Sequence, residues 1–107
     1  WKEFERIELR VGTILSAEIF KEARTPAIKL SIDFGNDVGI RKSSAQITDH
    51  YLPEELIGKQ ISAVVNFPKK QIGPMMSECL VTGFIQDDGS VILAVPDKVS
   101  KNGARLA

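Results

Sequence analysis

The sequence predicts an all-β domain: a small five-stranded barrel with one short helix between its third and fourth strands. Three observations carry this. Apolar and polar residues alternate with a period of two over long stretches, as in strands buried on one face. Turn residues, Gly35-Asn36-Asp37 and Asp87-Asp88-Gly89-Ser90, separate these stretches. The alternation breaks at Thr48 to Leu56, where Pro53, Glu54 and Glu55 suit the first turn of a helix.

In chain order, Leu9, Val11, Thr13, Leu15, Ala17 and Ile19 share one parity, opposite Arg10, Ser16 and Glu18, and predict a long first strand. Gly12 interrupts it, as expected where a strand coils sharply or bulges. Ile28, Leu30, Ile32 and Phe34 alternate with Lys29, Ser31 and Asp33, and the turn at residues 35–37 leads into a third strand from near Gly39. Gly58 is placed to cap the helix. The fourth strand puts Ile61, Ala63, Val65 and Phe67 inward and Gln60, Ser62 and Asn66 outward, and Pro68 stops it. Lys69 to Pro74 is expected to be a basic loop, Met76 to Ile85 a strand, and Val91 to Val95 its hairpin partner, before a polar tail. This order describes an OB-type barrel; a plain sandwich usually has more strands and no helix at that point.

A chain of 107 residues makes one domain, 1–107, with one core. Fourteen Lys plus Arg offset fourteen Asp plus Glu, so no global field draws the protein to polyanions and any nucleic-acid contact must use a local basic patch. One cysteine, Cys79, excludes an intrachain disulfide and a multi-cysteine zinc site, and fits a cytoplasmic location. No run approaches the ~18 apolar residues of a membrane helix, so no membrane insertion is expected. No signal-peptide pattern opens the chain. It starts at Trp1 without a methionine, which leaves room for residues upstream.

The motifs ELRVGTI, IDFG, EELIGKQISAVVNF and the following K-K-x-x-G…S stretch resemble the tRNA-binding-domain family, found at the end of methionyl-tRNA synthetases and in free-standing tRNA-binding proteins. SSAQIT followed by a Tyr, the EEL-x-GK turn, VVNFP and SE-x-LV-x-G are similar to the CsaA group of export-related chaperones built on that domain. The resemblance covers nearly the whole chain. It implies a homodimer of OB folds, affinity for tRNA and, for the chaperone group, affinity for unfolded preproteins and the export motor. One departure stands out. Where the tRNA-binding domains carry Ser-x-Gly-Met, this chain has Ser77-Glu78-Cys79-Leu80, and the acid beside the site repels phosphate.

The candidate tRNA-binding residues are Lys42, Ser44, Asn66, Lys69, Lys70 and Ser77. Lysines at a barrel rim hold phosphates as mobile point charges, and the plainer reading is a solvated loop that keeps an edge soluble. Ser77 owes its place to the family resemblance. The candidate peptide-binding residues are Gln46, Asn66, Phe67, Ile72 and Met75. Amides on a polar strand face can read an extended backbone, and a methionine adapts to varied partners. Alternatively, the polar groups satisfy neighbouring backbone and the apolar ones belong to the core or an interface. Parity assigns Met76 to the core and leaves Met75 exposed.

No catalytic set competes with these. His50 is the only histidine and has no companion ligand, so it reads as a surface residue. Cys79 reads as a small buried hydrophobe. No glycine-rich phosphate loop is present, and no cofactor or metal is expected. The few aromatics argue against general single-strand stacking. A dimer is expected to cover apolar ends, Trp1, Phe4 and Ile7 at the start and Leu106 at the finish. The expected function is therefore non-enzymatic binding, as a preprotein chaperone or as a tRNA-binding module.

Overall fold

A computed structural model describes every residue, Trp1–Ala107. The elements run α1 (Lys2–Glu5), β1 (Leu9–Ile19), β2 (Ile28–Asp33), β3 (Ile40–Ala45), α2 (Pro53–Leu56), β4 (Gln60–Val64), β5 (Lys70–Ile72), β6 (Met75–Ser77), β7 (Leu80–Val81), β8 (Gly83–Ile85) and β9 (Val91–Leu93). Five strands form one antiparallel sheet in the order β3-β2-β1-β4-β7, and β5-β6 and β8-β9 are separate hairpins. The sheet curls until its two ends meet. There Glu78 donates its N–H to the Lys42 carbonyl at 2.7 Å, and the Ser43 hydroxyl donates to the Cys79 carbonyl at 3.0 Å. This is the five-stranded, nearly closed barrel of an OB-like fold, with α2 between β3 and β4.

The core follows the alternation of β2 and β4. Ile28, Leu30, Ile32 and Phe34 are buried, as are Ile61, Ala63 and Val65. Ile47, Leu56 and Cys79 complete the same cluster. Pro53 begins α2, and the Glu55 carboxylate accepts the Leu52 N–H at 2.8 Å. That is one half of a capping box, since leucine has no acceptor to return. Gly58 ends the turn at φ +87°, a conformation that suits glycine.

In β1 the parity differs from expectation. Gly12 and Ile14, not Val11 and Thr13, face the core, and a bulge between Ile14 and Ser16 then shifts the register. The shift turns Ala17 onto the core and leaves Leu15 and Ile19 half exposed. Gly12 is where the barrel wall closes on itself. A Cβ there would stand 2.5 Å from Ile32 Cγ2 and 2.7 Å from the Phe34 ring. Coiling a single strand through two sides of a small barrel requires such a bulge and such a bare backbone.

Five further features depart from the sequence reading. The run from Met76 to Ile85 is not one strand: residues 75–77 pair with β5, Glu78 with Lys42, Leu80 and Val81 with β4, and residues 83–85 with β9. The expected loop at 69–74 contains β5, the first half of a hairpin. Met76 lies on the exposed face of that hairpin, not in the core, and Met75 is half-buried. Phe67 is 44% exposed, because β4 ends at Val64 and residue 67 no longer follows its parity. A one-turn helix, α1, also precedes β1, and it buries none of its residues.

Candidate functional site

Six of the ten candidate residues line one cleft. Ser44 and Gln46 come from the end of β3, Phe67 from the chain after β4, Lys70 and Ile72 from β5, and Ser77 from β6. The cleft measures about 360 Å³, and Pro68, Leu80 and Val81 add apolar wall. Its chemistry is mixed: a phenyl ring and aliphatic chains share the lining with one ammonium and an amide.

The main chain of β3 adds a second kind of group. Lys42 turns its N–H and C=O away from β2, onto Glu78. The β2–β3 ladder runs from Ile28↔Ala45 to Asp33↔Ile40 without a register shift. In an antiparallel ladder, residues two apart point their main-chain groups the same way. Ser44 therefore aims its N–H and C=O away from β2 as well, on the side where the cleft lies.

Lys42 and Met75 line a neighbouring hollow of about 510 Å³ with Phe20, Pro74, Met76 and Glu78. The two hollows adjoin along β3 and β6. Lys29 crosses the far wall of the larger one, 3.1 Å from Glu18 and 5.4 Å from the Phe20 ring centre.

Three expected residues are held by contacts within the fold. The Asn66 side chain accepts the Glu8 N–H at 2.9 Å and donates to the Arg6 carbonyl at 2.7 Å, which ties the chain after β4 to the approach to β1. Ser77 is buried and donates to the Cys79 carbonyl at 3.3 Å. Lys69 stands 3.7 Å from Glu78. Arg41 donates to the carbonyls of Val65 and Glu78 at 3.2 and 3.3 Å and so braces the closure. Glu78 is the residue that sequence reasoning placed least well. It appeared only as a departure from a motif, whereas it holds both Lys42 and Lys69.

Burial pushes the Cys79 thiol up to about 11, against smaller opposing effects from Ser43 and Arg41. It is therefore protonated and unreactive at neutral pH. His50, Ser90 and Asp88 do come together, but in the wrong order for catalysis. The Ser90 hydroxyl donates to Asp88 at 2.6 Å, so the His50 Nε2 at 2.8 Å is the donor to Ser90 and not a base awaiting its proton. The hydrogen bond from the Ser90 hydroxyl holds the Asp88 carboxyl below its ordinary range. No group of three or more His, Cys, Asp or Glu side chains could hold a metal ion, and no helix is long and apolar enough to cross a membrane.

The fold is a nearly closed OB-like barrel with a mixed polar and apolar cleft beside a half-open strand edge. Residues 9–105 match the family described as "Putative tRNA binding domain". The chain belongs to this tRNA-binding-domain family, in the group that includes the CsaA chaperones. It is 50% identical to the chaperone CsaA of Bacillus anthracis strain Ames, with a TM-score of 0.93 and coverage of 99% of this chain and 96% of that one. The same figures hold for the CsaA chaperone protein of Picrophilus torridus. A protein of Pyrococcus horikoshii related to methionyl-tRNA synthetase is 33% identical, with a TM-score of 0.87 over 99% of this chain and 94% of its own. Among curated relatives, the methionine–tRNA ligase of Chlorobium chlorochromatii strain CaD3 is 32% identical over 101 residues, 94% of this chain. The chain spans only 14% of that ligase's length.

Proposed function

We propose that the chain is a non-catalytic chaperone module that holds extended segments of unfolded preproteins. The observation that carries this is the Ser44 main chain, directed away from β2 beside a cleft with Phe67, Ile72 and Leu80 in its apolar lining. An extended peptide can add to such an edge by main-chain hydrogen bonds and place alternate side chains against the apolar lining. Main-chain bonding is indifferent to sequence, and a broad apolar lining tolerates many side chains. Both suit a binder of non-native segments rather than of one ligand. Likeness to CsaA chaperones over nearly the full length supports the same reading. The partners we propose are preproteins and the export motor.

The test is suppression of aggregation of an unfolded precursor, followed by light scattering. Replacing Phe67 and Ile72 together with serine removes this lining without opening the core and is expected to abolish suppression. Suppression equal to the parent chain's would contradict the proposal.

A second reading, tRNA binding, is favoured by the family match and by Lys70, which lines the cleft and has no carboxylate within ion-pair distance. Lys70→Ala is expected to reduce the log-log salt slope of tRNA affinity by about one. An unchanged slope counts against this reading.

The functional unit we propose is a homodimer. Leu9, Val11, Phe84, Val95 and Leu106 line an open groove of about 530 Å³, Trp1 and Phe4 line a second hollow that shares Leu106, and Ile85 and Val99 are exposed. So much exposed apolar surface on a small domain marks an interface, and a second copy is the occupant. Phe84→Glu is expected to yield monomers in sedimentation; a parent chain that is monomeric at micromolar concentration would contradict it.

A further inference from the structure

We propose that Glu78 sets which polymer this surface accepts: its carboxylate turns polyanions away from the β3–β6 ridge while leaving it open to polypeptide. The inference rests on the binding role proposed above and assigns its selectivity.

The carboxylate is fixed. The Glu78 N–H donates to the Lys42 carbonyl at 2.7 Å, and its own carbonyl accepts Arg41 Nη1 at 3.3 Å. Its Oε1 accepts the Lys42 N–H at 2.9 Å, and its Oε2 stands 3.7 Å from Lys69 Nζ. The side chain is 25% exposed and cannot swing into solvent without giving up the Lys42 N–H. A phosphate approaching Lys42 or Lys69 thus meets a negative charge that stays in place. It also finds Lys69 already partly neutralised. Lys70 on the cleft side and Lys42 on the neighbouring hollow keep their ammonium groups free of ion pairs, and of these Lys42 lines the same hollow as Glu78. A neutral, extended peptide has no charge for Glu78 to repel, and the main-chain groups of Ser44 remain available to it.

Exposed ion pairs are weak singly, so Glu78 tilts the choice by a few-fold rather than abolishing binding. Glu78→Gln keeps an oxygen for the Lys42 N–H and removes only the charge. It is expected to raise affinity for bulk tRNA about three- to fivefold at low salt and to steepen the log-log salt slope by about one, as Lys69 is released. Affinity for an uncharged, unfolded peptide should stay within about twofold, because no charge is lost from that contact. Lys69→Ala placed on top of Glu78→Gln should remove the gain. In the parent chain Lys69→Ala should barely alter the salt slope, a test that does not depend on the Glu78 variant folding.

An unchanged tRNA affinity in Glu78→Gln, including no measurable binding before and after, overturns the proposal. So does an equal shift for tRNA and peptide, which would mark Glu78 as merely structural. So does a full-size slope change from Lys69→Ala in the parent chain. Failure of the parent chain to bind the peptide sinks the chaperone reading instead, and is seen in the same titrations.

Discussion

Glu78 and Lys42 are joined twice: the Glu78 N–H donates to the Lys42 carbonyl at 2.7 Å, and the Lys42 N–H donates to the Glu78 carboxylate at 2.9 Å. The first bond closes the barrel, and the second fills the place of the ladder bond that would follow if the strands ran on together. One acidic side chain thus completes the fold while holding a negative charge at its binding surface. Glu78→Ala retains the main-chain bond and loses the other. The Lys42 N–H is then left to water, at a cost of about 0.5–1.5 kcal/mol in chemical denaturation.

Asn66 belongs to the fold by its contacts, whatever else it touches. Both ends of its amide are bonded to main chain at Arg6 and Glu8. Asn66→Ala is expected to cost about 1–2 kcal/mol and to speed hydrogen exchange at the Glu8 amide. An unchanged exchange rate there would show that the tie to the N-terminal segment carries no weight.

Gly12→Ala tests the closeness of the barrel wall. The new methyl meets Ile32 and the Phe34 ring, and both are fully buried. Overpacking of this kind is expected to cost about 1–3 kcal/mol, read as a lowered denaturation midpoint with an unchanged slope. A stabilised Gly12→Ala chain would mean that the relief of backbone entropy outweighs the clash.

Cys79 gives the chain a specific alkaline response. Its thiol has a folded value near 11 against 9.0 for the ordinary thiol, through burial first. The folded state therefore holds the proton longer than the unfolded state. Stability is full below pH 9 and declines as pH rises toward 11, by about 2 kcal/mol from this group. Cys79→Ala should flatten that decline, and at neutral pH a thiol reagent should label the native chain only as fast as it opens.

Much of this was legible in the residues. Alternation placed β2 and β4, and the break at Pro53 placed α2. Polar strand faces, the basic turn, apolar groove residues and, for Ser77, the resemblance drew candidates from three places in the sequence, of which six meet in one cleft. What stayed hidden depended on partners. The parity of β1 reverses because Gly12, with no side chain to count in a pattern, is the inward residue. The run through Ser77, Glu78 and Leu80 reads as one strand, because its residues are extended throughout and change only their neighbours. Glu78 stands out in the sequence as an acid beside the site, but its hold on Lys42 and Lys69 shows only once the ends of the sheet meet.

The proposal that unfolded polypeptide adds to the β3 edge is tested most directly by amide hydrogen exchange at Ser44, with and without a saturating unfolded peptide. Slower exchange at the Ser44 amide, with Leu30 and Ile32 unchanged, is the expected result. An unaltered Ser44 amide under saturating peptide would contradict it.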